Sequence, residues 1–168
     1  MMMTILLLSS MILSGCAAQA TQPNDWNETE SFTAEGKQSY ELKGHEGEIA
    51  FLDSGEFVAN EPKQTKWFFW NNEDVKVKKQ NFKLVGIQKL DGKKEKLLVH
   101  KNNAKVWATE IQEASKSRNI GTTIQSIISA DASQPVLMSF PSPGLWKLKA
   151  YVNDKLYGTI IVDVKQRK

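Results

Sequence analysis

Residues 144–164 read GLWKLKAYVNDKLYGTIIVDV, and the pattern of this stretch decides the fold. Apolar and polar side chains alternate from Trp146 to Val152, and the large apolar residues between Leu156 and Val164 again share one parity. Alternation with a period of two is typical of a β-strand that buries one face. The pair Asn153-Asp154 between the two halves favours a turn. The stretch therefore predicts an antiparallel hairpin with one apolar face.

The register of this hairpin depends on the length of its turn. A two-residue turn at Asn153-Asp154 would pair Val152 with Lys155 and would place the two apolar sets on opposite faces. A three-residue loop pairs Val152 with Leu156, and Trp146 with Val162, so that both sets share a face. The sequence therefore predicts the three-residue loop, with Trp146 in the core.

The rest of the chain from Tyr40 onward has the same texture of short alternating runs separated by turn residues. Such spacing is typical of an all-β domain. A core that receives apolar side chains from two sides predicts an immunoglobulin-like antiparallel β-sandwich over residues 39–168. Isoleucines at helical spacing interrupt the pattern, at Ile120, Ile124 and Ile128. They predict one short helix or ordered loop around 120–129.

Two stretches carry a resemblance to a known group, namely Gly144 to Ile160 and Ile49-Ala50-Phe51-Leu52-Asp53-Ser54. The chain resembles small lipoproteins of Gram-positive bacilli that contain an immunoglobulin-like domain of unknown function. A similar domain is appended to some sensor-type membrane peptidases. The resemblance spans roughly Leu42 to Lys165 and implies a fold and a location, but no chemistry.

The N-terminus resembles a lipoprotein signal. An apolar run beginning at Ile5 ends in Leu13-Ser14-Gly15-Cys16, which resembles a lipobox, although no Lys or Arg precedes the run. The run is too short to span a bilayer, which needs roughly 20 apolar residues. We expect a signal peptide at 1–15, lipid attachment at Cys16, a flexible tether through residue 38, and a location on the outer face of the plasma membrane. Cys16 is the only cysteine, so no disulfide can form within the chain.

Charge is distributed unevenly along the chain, although the net charge is only +3. Residues 17–75 carry twelve acids and four lysines, whereas residues 76–105 carry ten lysines and two acids. The basic block predicts weak binding to an anionic envelope polymer, such as a teichoic acid, or to nearby lipid headgroups. The candidate residues are Lys76, Lys78, Lys83 and Lys89. The alternative is a solvated lysine surface, and nucleic acid is not an expected partner of a tethered, exported protein.

The most aromatic stretch is Trp67-Phe68-Phe69-Trp70. In a strand, Trp67 and Phe69 face one way while Phe68 and Trp70 face the other. One pair should fill the core. The second pair is either covered by the segment 112–134 or exposed as a stacking platform for a glycan or peptide. Cover is the favoured alternative, because large exposed apolar patches are uncommon unless they are used.

No catalytic or metal-binding pattern stands out in the sequence. His45 and His100 lie in separate contexts, and the carboxylates Asp53, Glu56 and Glu61 fall at turn positions, so we expect no catalytic residue, metal or cofactor. The sequence therefore predicts a non-enzymatic, lipid-anchored extracytoplasmic binding module. One alternative is a proteinase-inhibitor-like or sensor accessory domain acting on a membrane-surface protein. A second alternative is a cell-wall hydrolase.

Overall fold

The structure is a computed structural model that describes residues 26–100, 102, 104–111 and 120–168, with the side chains of 120–123 excepted. Two sheets pack face to face. The first, sheet A, has the strand order β1-β2-β3-β5-β10-β8. Its strands are β1 (Ser31–Ala34), β2 (Tyr40–His45), β3 (Ile49–Leu52), β5 (Lys63–Phe69), β8 (Leu98–Val99) and β10 (Ala132–Met138).

The second, sheet B, has the order β4-β12-β11-β6-β7, with β9 also paired to β6. Its strands are β4 (Phe57–Val58), β6 (Asn81–Gln88), β7 (Lys94–Lys96), β9 (Thr109–Glu110), β11 (Gly144–Val152) and β12 (Lys155–Lys165). Among the strands of the described residues, only β12 and β4 pair in parallel. This architecture confirms the predicted all-β, immunoglobulin-like sandwich.

The main core lies between the sheets and is built around aromatic rings. Trp67 and Phe69 of β5 meet Phe82 of β6, with ring centroids 5.3 and 5.0 Å apart. Trp146 is 1% exposed and packs edge-on against Phe140 at 5.7 Å, so its predicted place in the core is confirmed. Gly86 makes room for it, because a Cβ added there would lie 2.9 Å from the Trp146 ring.

A second, smaller core covers the outer face of sheet A. Helix α1 (Ile120–Ile127) confirms the predicted short helix. Ile124 and Ile128 cover Phe68 and Trp70, which point away from the main core. The indole N–H of Trp70 donates to the carbonyl of Ile128 at 3.0 Å. All four residues of Trp67–Trp70 are therefore buried. The favoured prediction, cover by the segment 112–134, is confirmed, and the alternative of an exposed stacking platform is wrong.

The hairpin has a shorter turn than predicted, yet it reaches the predicted register. Val152 pairs with Lys155 across a two-residue turn in which Asn153 and Asp154 both have positive φ, 50° and 64°. The register shifts between Ala150 and Tyr151, so Trp146 still faces Val162. A bulge adds one residue to one strand and so changes its parity. The predicted three-residue loop is wrong, because the bulge and not the turn aligns the apolar faces.

Tyr157 is the residue that this bulge adds to β12, and its ring packs against the main core, 6.2 Å from Phe69. Burial, together with the nearby charge of Asp131, raises the pKa of Tyr157 to about 12. The unfolded chain loses this proton near its ordinary pKa of about 10. The folded protein keeps it, so we expect stability to fall as pH rises from about 10 to 12.

The measurement is a spectrophotometric titration of tyrosinate, with the denaturant midpoint recorded across the same pH window. Tyr157→Phe should remove the latest tyrosinate transition and flatten part of the alkaline loss of stability. Lysine deprotonation is common to both proteins, so the difference between them isolates Tyr157. An unchanged late transition in the variant would contradict the assignment.

The folded domain begins earlier than the predicted boundary at residue 39. Strand β1 lies inside the predicted tether and pairs with β2, with Phe32 opposite Leu42. Upstream of it, the backbone N–H of Thr29 donates to the carbonyl of Ile161 at 3.0 Å, and the Ile161 N–H donates to the Thr29 hydroxyl at 2.8 Å. These pairings explain why a polar segment is ordered. The prediction of a tether through residue 38 is wrong for residues 26–38, whereas residues 1–25 lie outside the described structure.

Two segments have a local structure that a strand pattern alone does not indicate. Val75 and Val77 are buried without forming a strand, because the side-chain oxygens of Asn72 and Asn71 accept their backbone N–H groups at 2.7 and 3.0 Å. Strand β10 contains Pro135 near its centre, and proline has no N–H to donate to a neighbouring strand. In the described structure β8 pairs only with Leu137 and Met138, so Pro135 meets no strand on that side.

Candidate binding surface

The outer face of sheet B is the one broad sheet surface that no helix covers in the described part of the chain. Sheet A is covered by α1, whereas over sheet B only the segment Trp26–Glu30 crosses. We call this segment the strap. Side chains alternate along β6 and β11, so that Phe82 and Trp146 point inward while Lys83 and Lys147 point outward.

Strand register collects five lysines on this outer face, which we call the lysine face. One cross-strand row runs Lys94, Ile87, Lys147, Ile161, and the next runs Lys96, Val85, Lys149, Thr159. Lys83 lies opposite Tyr151. In each row an aliphatic residue separates the lysines, so their stems pack on apolar surface while their ammonium groups reach solvent.

Four of the five lysines have no carboxylate partner among the described residues. Lys83 pairs with Asp154 at 2.6 Å. Lys96 instead lies over the ring of Trp107, with its Nζ 3.6 Å from the centroid. Lys147 lies over the ring of Trp26 at 4.5 Å. Trp107 is 60% exposed, whereas tryptophan is highly buried on average.

Glu95 is the acid nearest to this face along the sequence, but its carboxylate is already paired with two other lysines. Its carboxylate accepts hydrogen bonds from Lys105 at 2.7 Å and Lys93 at 2.9 Å. These two bonds lower the pKa of Glu95 and keep it ionised. The same contact raises the pKa of Lys93. The positive potential of the lysine face is therefore not cancelled by the acid in its own edge strand.

The strap forms one wall of a groove of about 1330 Å³ that borders the lysine face. Trp26, Lys147 and Lys149 line its basic side. Glu28 of the strap forms an ion pair with Lys43, on the sheet A side. The His45 imidazole Nε2 lies 3.1 Å from the carbonyl of Thr159. Glu28, Glu30 and Glu46 also line the groove, so carboxylates and ammonium groups meet in it beside an aromatic wall and an open entrance.

The structure separates the predicted basic residues. Lys83 lies on the lysine face, and Lys89 lies just beyond β6, where its backbone N–H still donates to the carbonyl of Leu145 at 2.9 Å. Lys76 and Lys78 are exposed in the connection between β5 and β6, so strand register does not align them with Lys83. Lys147 and Lys149 were missed, although they alternate with Trp146 and Leu148 in the sequence.

No constellation suited to metal chemistry occurs among the described residues. Within those ranges, no group of three or more His, Cys, Asp or Glu side chains could hold a metal ion. No helix within the described ranges is long and apolar enough to cross a membrane.

The fold and this surface together define an immunoglobulin-like β-sandwich domain with one open, basic sheet. A family model for a domain of unknown function, DUF4871, matches residues 19–162, and the chain belongs to this family. The chain is also similar to a crystal structure described as that of a "Putative Lipoprotein from Bacillus anthracis". The two are 27% identical with a TM-score of 0.60, over 84% of this chain and 87% of the other. No match was found among curated proteins.

Proposed function

We propose that this protein is a lipid-anchored, extracytoplasmic binding module that acts without catalysis and recognises phosphate-rich polyanions through its lysine face. The pattern Leu13-Ser14-Gly15-Cys16 supports the anchor. Similarity to the Bacillus anthracis protein, whose description names a lipoprotein, supports the same location. Cys16 itself lies outside the described residues.

The observation that carries the binding role is the set of lysines without carboxylate partners, Lys94, Lys96, Lys147 and Lys149. Neighbouring strands lie about 4.8 Å apart, so Lys94 and Lys147, two strands apart, have backbones about 10 Å apart. Lys147 and Lys149 lie about 7 Å apart along their strand. Like charges held at such spacing repel each other, and a polyanion relieves the repulsion at several points at once.

The test uses linear polyphosphate as a soluble probe and a fourfold variant of the lysine face, Lys94, Lys96, Lys147 and Lys149 all to Gln. A lysine near an anionic surface contributes about 1 kcal/mol. We therefore expect the variant to bind polyphosphate at least about tenfold more weakly in calorimetry. Molar salt, which shortens the Debye length to about 3 Å, should abolish binding by the wild type.

The matched control changes the same charge elsewhere, with Lys37, Lys76, Lys78 and Lys168 all to Gln. These four lysines are exposed and lie off the lysine face. The control should bind nearly as the wild type does. Equally weakened polyphosphate binding in both variants would mean that only net charge matters. Binding at the wild-type level in both variants would mean that the lysine face is only a solvated surface. Either result contradicts the proposal.

A further inference from the structure

We infer that the polyanion met by the lysine face is the anionic headgroup layer of the membrane itself, so that the domain lies on the bilayer with sheet B downward. This inference rests on the proposed function, because it requires both the Cys16 anchor and a polyanion-binding face. It names the partner as a leaflet rich in phosphatidylglycerol or lipids of the same charge.

The first argument is where the chain enters the domain. Trp26, the first described residue, lies beside Lys147 and lines the groove at the lysine face. The strap then passes β12 through Thr29 and continues into β1 of sheet A. The chain therefore meets the sandwich on its basic side, over the middle strand of sheet B.

The second argument is distance. Ten peptide units separate Cys16 from Trp26. Whatever their conformation, they can span no more than about 35 Å. If sheet B faces the lipid, only a small part of this reach is needed.

With sheet A toward the lipid, the chain between Cys16 and Trp26 would have to be almost fully extended. A chain starting at Trp26 would first have to pass half the width of sheet B, about 12 Å for five strands. It would then have to pass the thickness of two packed sheets and the covering helix, about 20–25 Å. Their sum is close to the fully extended limit of the ten peptide units, so the anchor strongly disfavours an orientation with sheet A toward the lipid.

The third argument is the chemistry of the face. Two tryptophans accompany its lysines, Trp26 in the groove and the exposed Trp107 beyond β7, each beneath a lysine ammonium group. Tryptophan is enriched at membrane interfaces, where its ring lies at the headgroup level. Lysines beside it contribute about 1 kcal/mol each on an anionic leaflet. Ile87 and Val85 place aliphatic side chains between the lysines of the two rows.

The experiment uses the full-length lipidated protein, inserted from outside into preformed vesicles of phosphatidylglycerol or of neutral phosphatidylcholine. Lysines are acetylated with a membrane-impermeant reagent and quantified by mass spectrometry. We expect Lys94, Lys96, Lys147 and Lys149 to react several-fold more slowly on phosphatidylglycerol. The internal controls Lys37, Lys76 and Lys78 should react equally on both, and molar salt should remove the difference.

The outcomes separate this inference from the proposed function. Equal acetylation on both vesicles overturns membrane docking. If a wall polyanion added to the phosphatidylcholine vesicles then protects the same four lysines, the proposed function stands with a polymer as the partner. If neither surface protects them, both proposals fail. The wild-type footprint needs no substitution, so a misfolded variant cannot obscure the result.

Discussion

Replacing Trp146 by alanine is expected to lower the free energy of unfolding by about 3–5 kcal/mol. The indole is 1% exposed, packs against Phe140 and fills the space left open by Gly86. Its N–H donates to the carbonyl of Ser142 at 2.9 Å, and the substitution leaves that acceptor without its partner. Domains of this size are stable by only about 5–15 kcal/mol, so the loss removes a large fraction of the total.

Urea denaturation checks this prediction, with Trp107→Ala as the matched control. Trp107 is 60% exposed, and its loss removes mainly the contact with Lys96. That contact is worth about 0.5–1 kcal/mol at an exposed site, so the control should shift the midpoint little. Similar midpoints for the two variants would show that the packing around Trp146 does not hold the sheets together.

The substitution Cys16→Ser is expected to remove the protein from the membrane fraction, or to leave its precursor uncleaved. A lipobox cysteine carries its lipid on sulfur, and each buried methylene contributes about 0.8 kcal/mol. Two or three acyl chains would thus hold the protein firmly, and a hydroxyl cannot replace the thiol. Because Cys16 is the only cysteine, no second thiol can take over the label.

The measurement is metabolic labelling with a radioactive fatty acid, followed by fractionation. Thr21→Ser, a comparably small change five residues downstream, should remain labelled and membrane-bound. Labelling of Cys16→Ser at the wild-type level would refute the anchor. The short chain between Cys16 and Trp26 would then no longer support docking of sheet B on the membrane.

The sequence was sufficient to predict the fold where a strand or helix shows its own pattern of buried and exposed residues. Trp146, the Trp67–Trp70 strand and the short helix all follow from local periodicity. The two-residue turn at Asn153-Asp154 could not be predicted in this way. A bulge farther along the hairpin restores the side-chain parity that the turn reverses. A local pattern cannot reveal such a compensation, because it depends on the pairing of β11 with β12 as a whole.

The binding surface was harder to predict because it depends on which strands are neighbours. Lys83 and Lys147 lie 64 positions apart in the sequence and share a face only because β6 pairs with β11. A linear count of charge favoured the block 76–105 and thus included Lys76 and Lys78, which belong to a connection. The strap was missed for a related reason, because Thr29 finds its partners on a strand near the far end of the chain.

The bonds between Thr29 and Ile161 join residues 132 positions apart. The six strands of sheet A and the strands β11, β6 and β7 of sheet B pair without β12, whereas among the described residues β4 pairs with β12 alone. Contacts of such long sequence separation slow folding. Strand β4, although it lies early in the chain, therefore finds its partner only when the C-terminal strand is in place.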